Sequence, residues 1–128
     1  MMNQSDSKNI NILVIDPDED FAQNVQMFLE DTYSVGIRQG IEYLDYTIIL
    51  KQIKLIILDV ESVDYDVIEL LNQIRSNHEY VKIIIMYTYF LSDKEFEKTL
   101  IKHADDLISK PFDVTLLKNK VDSLLLPA

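Results

Sequence analysis

Predominantly apolar runs alternate along the chain with segments in which apolar residues recur at helical spacing. The runs cover residues 10–15, 33–37, 55–58, 81–87 and 107–108. Runs rich in Val, Ile and Leu that lack alternation are typical of strands buried on both faces. The chain therefore predicts an α/β fold in which strand and helix follow each other five times. Right-handed crossovers would make the sheet parallel and place helices on both of its faces.

The helical segments differ in how clearly their ends are marked. The first begins near Asp20, and the second is predicted over 41–52 although residues 46–49 favour a strand. Ser92, with Glu95 three residues later, predicts a capping box for a fourth helix that runs to Lys102. Asp113 is predicted to cap the last helix. The apolar face of that helix is predicted to consist of Leu116, Leu117, Val121, Leu124 and Leu125.

The length of 128 residues suits one domain with a self-sufficient core. We expect a polar leader over 1–9 and the domain over 10–126. No apolar stretch approaches the roughly 18 residues of a membrane span, and the first residues lack the apolar core of a signal peptide. A cytoplasmic protein is the expectation.

Composition argues against several classes of function. The net charge of −10 without a basic cluster argues against nucleic acid and anionic membranes as partners. The absence of cysteine excludes disulfides, thiolate metal sites and cysteine catalysis. With only Gly36 and Gly40, the chain has no glycine-rich phosphate cradle, which argues against nucleotide-binding relatives of the fold.

Charged residues follow three of the predicted strands: Asp16, Asp59 and Lys110. In a sheet of order 2-1-3-4-5 these ends would converge at one edge, where ligands of parallel sheets bind. Two adjacent carboxylates suit Mg²⁺, and a carboxylate can attack phosphorus while an ammonium neutralises phosphoryl oxygens. Each residue also has an ordinary alternative: Asp16 could cap the next helix, Asp59 could merely end its strand, and Lys110 could reach solvent. His78 and His103 stand isolated and receive no predicted role.

Three blocks resemble the receiver domain of bacterial two-component response regulators: Ile12-Leu-Val-Ile-Asp16, Leu55-Ile-Ile-Leu-Asp59 and Ala104-Asp-Asp-Leu-Ile-Ser-Lys110-Pro-Phe. The resemblance covers the chain from Ile10 to Leu125. It implies a flavodoxin-like (βα)5 sandwich of three layers, with a five-stranded parallel sheet in the order 2-1-3-4-5. It also implies that Asp59 accepts a phosphoryl group from a histidine kinase or phosphotransfer protein. Lys110 would contact the phosphate, and Asp16 would contribute to a Mg²⁺ site.

The chain departs from this family at the metal site. The family normally places a second acidic residue where this chain has Pro17. Mg²⁺ would then rely on Asp16, Asp59, the backbone carbonyl of Glu61, and waters or phosphate oxygens, so we expect weakened binding. Asp18 or Glu61 could substitute in part, although Asp18 more simply begins the following helix.

Two further departures concern the switch. The hydroxyl residue that the family places after strand four is Thr88 by one count and Tyr87 by another, and Thr88 is chosen because its small hydroxyl suits a phosphoryl oxygen. The aromatic residue expected on strand five is Leu107 here. The family's rotating aromatic side chain is therefore missing, and phosphorylation would be transmitted differently.

Two functions of different classes follow. The first is a phosphorylation-controlled signalling switch that acts on a downstream protein or output domain through helix 92–102, strand five and the final helix. The same face could serve a dimer. The second is a degenerate receiver that binds proteins independently of phosphate. Neither is a metabolic enzyme, since the first would catalyse at most its own phosphotransfer and dephosphorylation, and a free-standing hydrolase would need longer loops.

Overall fold

A computed structural model of the chain describes residues 11–61, 65–88 and 94–126, in which strands and helices alternate as predicted. The elements are β1 (Ile12–Ile15), α1 (Glu19–Leu29), β2 (Val35–Arg38), α2 (Leu44–Lys51), β3 (Leu55–Asp59), α3 (Tyr65–Asn77), β4 (Lys82–Thr88), α4 (Lys94–Ile101), β5 (Asp106–Lys110) and α5 (Val114–Leu125). The predicted leader over 1–9 and the predicted cap Ser92 lie outside the described residues.

The sheet is parallel with the order β2-β1-β3-β4-β5, which confirms the predicted topology. Its register aligns the carboxyl ends of the central strands. Ile15 pairs with Leu58, and Thr88 pairs with Lys110. Side chains at these strand ends therefore meet at one edge of the sheet.

Alternation along each strand divides the core into two layers. One layer holds Ile15, Leu58, Ile85 and Tyr87 against α2, α3 and α4. The other holds Val14, Ile57, Met86 and Ile108 against α1 and α5. By the same alternation Asp16, Asp59, Thr88 and Lys110 all belong to the α1/α5 side, each two residues beyond a member of that layer.

The caps of α1 and α5 are aspartates. Asp18 precedes α1, and its Oδ1 accepts a hydrogen bond from the backbone N–H of Phe21 at 3.1 Å. Asp113 accepts one from the backbone N–H of Thr115 at 2.7 Å, which confirms the predicted cap of the last helix. The predicted apolar face of α5 was wrong at Leu116, which is 47% exposed. Leu117, Val121, Leu124 and Leu125 form a stripe at helical spacing, and Leu116 lies outside it.

Element boundaries differ most at α2. The helix is shorter than the predicted 41–52 because Tyr43 and Gln52 both adopt left-handed backbone conformations, with φ of 57° and 56°. Strand β2 starts at Val35, later than the predicted start at residue 33. Strand β5 extends from Asp106 to Lys110 and is longer than the predicted 107–108. In the described part of the chain, no helix is long and apolar enough to cross a membrane.

Candidate functional site

Lys110 joins the ends of β1 and β3. Its Nζ lies 2.8 Å from Oδ2 of Asp16 and 2.8 Å from Oδ1 of Asp59. The exposed fractions of the side chains are 2% for Asp16, 11% for Asp59 and 20% for Lys110. The structure thus brings together the three charged residues that the strand ends predicted, with Asp59 more accessible than Asp16.

Asp16 is held by the turn that follows β1. Its Oδ1 accepts a hydrogen bond from the backbone N–H of Asp18 at 2.9 Å, and its own backbone N–H donates to the carbonyl of Arg38 at 3.0 Å. One carboxylate oxygen therefore fixes the turn while the other meets Lys110. The alternative in which Asp16 caps α1 is wrong, because Asp18 is the cap.

The charges in this pocket shift one another's titration. Burial raises the pKa of Asp59 above its ordinary value, the hydrogen bond and charge of Lys110 oppose that effect, and the negative charges of Asp16 and Glu61 add to it. For Lys110, burial lowers the pKa, but hydrogen bonds to Asp16 and Asp59 outweigh it, so the net shift of the pKa is upward. Lys110 is therefore a firmly charged ammonium that offsets part of the negative charge of the two carboxylates.

One aromatic ring lies against Lys110 and a second packs on the first, and the sequence patterns assigned neither ring to the site. Nζ lies 4.2 Å from the centroid of the Phe21 ring, a cation–π contact. Phe112 meets Phe21 edge to face, with centroids 5.7 Å apart and planes at 85°. Phe112 follows the cis peptide between Lys110 and Pro111. Both phenylalanines are close in sequence to charged site residues, but only the packing of α1 against the segment that joins β5 to α5 makes them neighbours.

Tyr87 and Thr88, the two candidates for the hydroxyl position, lie on opposite sides of the sheet. Tyr87 belongs to the α2/α3/α4 layer, and its hydroxyl donates to Oε2 of Glu97 at 2.6 Å. Thr88 ends β4 beside Lys110 and shares a side of the sheet with Asp59. This placement agrees with the choice of Thr88, whose role in chemistry stays a prediction.

Leu107 lies next to a surface cavity of about 360 Å³. The cavity is lined by Tyr87, Lys94, Glu97, Lys98, Ile101 and Leu107. The cavity is on the α4 side of β5, away from the carboxylates. Leu107 occupies the position at which the resemblance leads one to expect an aromatic residue.

The oxygen donors near Asp59 are few. Asp16 and Asp59 supply carboxylates, Glu61 is exposed yet close enough for its charge to act on Asp59, and Asp18 is engaged as a cap. Among the described residues, no group of three or more acidic or histidine side chains is arranged to hold a metal ion. Mg²⁺ commonly needs only one or two carboxylates and keeps several waters. Two carboxylates with waters are therefore a donor set compatible with Mg²⁺, and Lys110 already contacts both of them.

His78 is not isolated, and that prediction was wrong. It is 3% exposed, and its Nε2 lies 2.8 Å from Oδ1 of Asp45 on α2. A second unpredicted contact joins Arg75 of α3 to Asp105 at 2.9 Å. Both contacts tie α3 to its neighbours across long stretches of sequence, away from the carboxylate pocket.

Comparisons with known proteins agree on the fold. Residues 12–122 match the family model of the response regulator receiver domain. A signal receiver domain from Vibrio parahaemolyticus aligns with a TM-score of 0.78 and 22% identity, covering 91% of this chain and 90% of that chain. An orphan response regulator of H. pylori aligns at 0.77 and 16% identity, with 91% and 96% covered. A two-component response regulator from Clostridium difficile aligns at 0.69 and 28% identity, with 91% and 96% covered. A search of curated proteins gave no match.

Proposed function

Since the chain belongs to the response regulator receiver domain family, we propose that Asp59 accepts a phosphoryl group from the phosphohistidine of a histidine kinase or phosphotransfer protein. The observation that supports this most directly is the 2.8 Å contact between Lys110 and a partly accessible Asp59 at the carboxyl edge of the sheet. Parallel sheets bind ligands at this edge. An ammonium there can neutralise phosphoryl oxygens.

In the proposed transfer, Oδ2 of Asp59 attacks phosphorus because Oδ1 faces Lys110. The phosphorus–nitrogen bond of the phosphohistidine breaks as the bond from oxygen to phosphorus forms, and the donor imidazole leaves with the electron pair and takes up a proton. Lys110 then shifts its contact from the carboxylates toward the phosphoryl oxygens. Thr88, at the end of β4, offers a hydroxyl to one of these oxygens.

Asp16, Asp59 and the backbone carbonyl of Glu61 are the proposed holders of Mg²⁺. When bound, Mg²⁺ would neutralise charge on the phosphoryl oxygens alongside Lys110. Pro17 provides no side-chain ligand, and Lys110 already contacts both carboxylates. We therefore propose that phosphoryl transfer depends on Mg²⁺. We also propose that it requires a higher Mg²⁺ concentration than it would if an acidic residue stood in place of Pro17.

Phosphorylation would add roughly two negative charges beside Asp16 and draw Lys110 away from it. We propose that this change alters the surface formed by α4, β5 and α5, which would contact a downstream protein or output domain. Leu107 cannot rotate as an aromatic ring does, so the hydrogen bond from Tyr87 to Glu97 is the proposed link between β4 and α4. A dimer through this face stays a prediction.

One observation favours a degenerate receiver as the second candidate function. Lys110 contacts both Asp16 and Asp59 and compensates part of their negative charge, and Pro17 offers no side-chain ligand for a metal ion. Such a protein would bind its partners through the same surface without phosphate.

The deciding experiment is intact mass spectrometry after incubation with phosphoramidate, across a Mg²⁺ series. Asp59→Asn tests the acceptor, and Asp31→Asn, an exposed carboxylate outside the site, is the matched control. The proposal expects a Mg²⁺-dependent gain of one phosphoryl group in the unmodified protein and in Asp31→Asn, and none in Asp59→Asn. A folded protein that gains nothing at any Mg²⁺ concentration would favour the degenerate receiver.

A further inference from the structure

The ammonium of Lys110 has an aromatic neighbour in addition to its two carboxylates. Nζ lies 2.8 Å from Asp16 and 2.8 Å from Asp59, and it lies 4.2 Å from the centroid of the Phe21 ring. An aromatic face attracts an ammonium, and the attraction is stronger where water is excluded. Because the Lys110 side chain is only 20% exposed, the ring covers part of a charge that solvent would otherwise surround.

Phe21 is fixed to the same turn that holds Asp16. Oδ1 of Asp16 accepts a hydrogen bond from the backbone N–H of Asp18, and Oδ1 of Asp18 accepts one from the backbone N–H of Phe21. The Phe21 ring meets Lys110, whose Nζ returns to Oδ2 of Asp16. These contacts form a closed loop. The position of the ring is therefore set by the same turn as a carboxylate that the ammonium meets.

Phe112 restricts the orientation of the Phe21 ring. The two ring centroids are 5.7 Å apart and the planes meet at 85°, the edge-to-face geometry that aromatic pairs favour. Both rings are partly buried against the core layer between the sheet and the helices α1 and α5. Rotation of the Phe21 ring away from Lys110 would break this arrangement. The face of the ring is therefore kept against Nζ.

A lysine without such a contact has reason to leave the pocket. Its side chain loses much rotamer freedom when it is held, and lysines commonly extend their charge to water. Leucine would fill the apolar space of Phe21, but it offers no aromatic face to an ammonium. We propose that Phe21 is a positioning residue, which holds the ammonium of Lys110 between Asp16 and Asp59.

The consequence for chemistry rests on the proposed phosphoryl transfer. An ammonium that is already in place stabilises charge on the phosphoryl oxygens without reorganisation. The same restraint keeps the ammonium on both carboxylates that are proposed to hold Mg²⁺. Loss of the Phe21 ring should therefore lower the maximal rate of transfer and also lower the Mg²⁺ concentration that gives half of that rate. General damage to the pocket would instead weaken Mg²⁺ binding.

NMR relaxation of the Lys110 ε-methylene group, measured without metal or phosphodonor, tests the positioning itself. Phe21→Leu should lower the order parameter of this group and remove the upfield ring-current shift of its protons. Phe28→Leu is the matched control, because Phe28 is also on α1 and partly buried against the same core layer. It should change neither quantity. An unchanged order parameter for Lys110 in Phe21→Leu would overturn the proposal.

Fluorinated phenylalanines at residue 21 separate the aromatic face from the volume of the ring. Each added fluorine withdraws electron density from the face and changes the shape of the ring little. The order parameter of the Lys110 ε-methylene group should therefore fall stepwise along the series. A series without this trend would show that Phe21 only fills space. This experiment decides the question even if Phe21→Leu does not fold.

Labelling with phosphoramidate across a Mg²⁺ series measures the effect on transfer. Phe21→Leu should lower the maximal rate and the half-saturating Mg²⁺ concentration by roughly 5-fold each, the size of effect that one cation–π contact supports. Phe28→Leu should change neither. A Phe21→Leu protein that labels more slowly and needs more Mg²⁺ would contradict the positioning role. If the unmodified protein is not labelled at all, the proposed phosphoryl transfer fails, and the NMR measurements still decide the role of Phe21.

Discussion

Replacing Lys110 with methionine would leave Asp16 and Asp59 without their shared counterion. Methionine retains much of the side-chain length and its contact with Phe21, so the change removes mainly the charge. The carboxylates are 2% and 11% exposed and both lie 2.8 Å from Nζ. Lys110→Met thus isolates the electrostatic contribution of the pocket.

The expected loss follows from burial. Removing one partner of a buried ion pair costs about 3–5 kcal/mol, and the 20% exposure of Lys110 reduces this to about 2–4 kcal/mol. For a domain of this size, that corresponds to a fall in Tm of about 8–15 °C. Lys118→Met is the control. Lys118 lies 2.9 Å from Asp122 but is 32% exposed, so its loss should cost less than about 1 kcal/mol.

The loss should depend on pH with a definite sign. The pKa of Asp59 is already raised by burial, against the effect of Lys110, and removing Lys110 raises the pKa further. The folded state then binds this proton more tightly than the unfolded state. The free energy of unfolding of Lys110→Met should therefore increase as the pH falls through the pKa that Asp59 has in the folded variant, toward the ordinary pKa of aspartate. Over this range the difference in stability between the variant and the unmodified protein should shrink.

Urea denaturation of both proteins between neutral pH and about pH 5, with and without Mg²⁺, measures these effects. Mg²⁺ should stabilise Lys110→Met more than the unmodified protein, because the metal no longer competes with an ammonium. A variant that unfolds within about 0.5 kcal/mol of the unmodified protein, with the same pH and Mg²⁺ dependence, would refute the reasoning.

Three further predictions use other contacts. Only ionised Asp59 can attack phosphorus, and burial raises its pKa. As the solution is acidified, the rate of phosphoramidate labelling should therefore begin to fall at a higher pH than it would for an aspartate of ordinary pKa. Time-resolved intact mass spectrometry measures this rate. Tyr87→Phe should remove the 2.6 Å hydrogen bond to Glu97, costing about 1 kcal/mol and increasing amide exchange in α4; unchanged exchange there would contradict the proposed link. Asp105→Ala should lower the free energy of unfolding, measured by calorimetry, by about 2–3 kcal/mol, because the Asp105 carboxylate binds both Arg75 and a backbone amide of β4. Arg75→Ala should lower it by less, because that backbone amide keeps its acceptor.

The α/β architecture was predictable from the chain because its determinants are local. Consecutive apolar residues without polar alternation indicated strands buried on both faces. In the segments between these strands, the apolar residues recurred at helical spacing. The topology confirmed this reading. The convergence of Asp16, Asp59 and Lys110 followed from topology, because the carboxyl ends of parallel strands share an edge.

Contacts between layers were not predictable in the same way. Phe21 beneath Lys110, His78 against Asp45, and a groove beside α2 each depend on how a helix packs on the sheet or on another helix. Periodicity specifies which face of a helix is apolar, but not which residue of a distant element that face meets.

The sequence by itself therefore determined the order of elements and the charged residues that end the strands, since both arise from the local pattern of apolar and polar side chains. Only the tertiary structure decided that one lysine contacts two carboxylates at equal distances, that Tyr87 and Thr88 face opposite layers, and that α2 leaves apolar side chains exposed. Those features depend on the spacing and orientation of elements that are far apart in the chain, and interactions over such separations leave no local periodic signal.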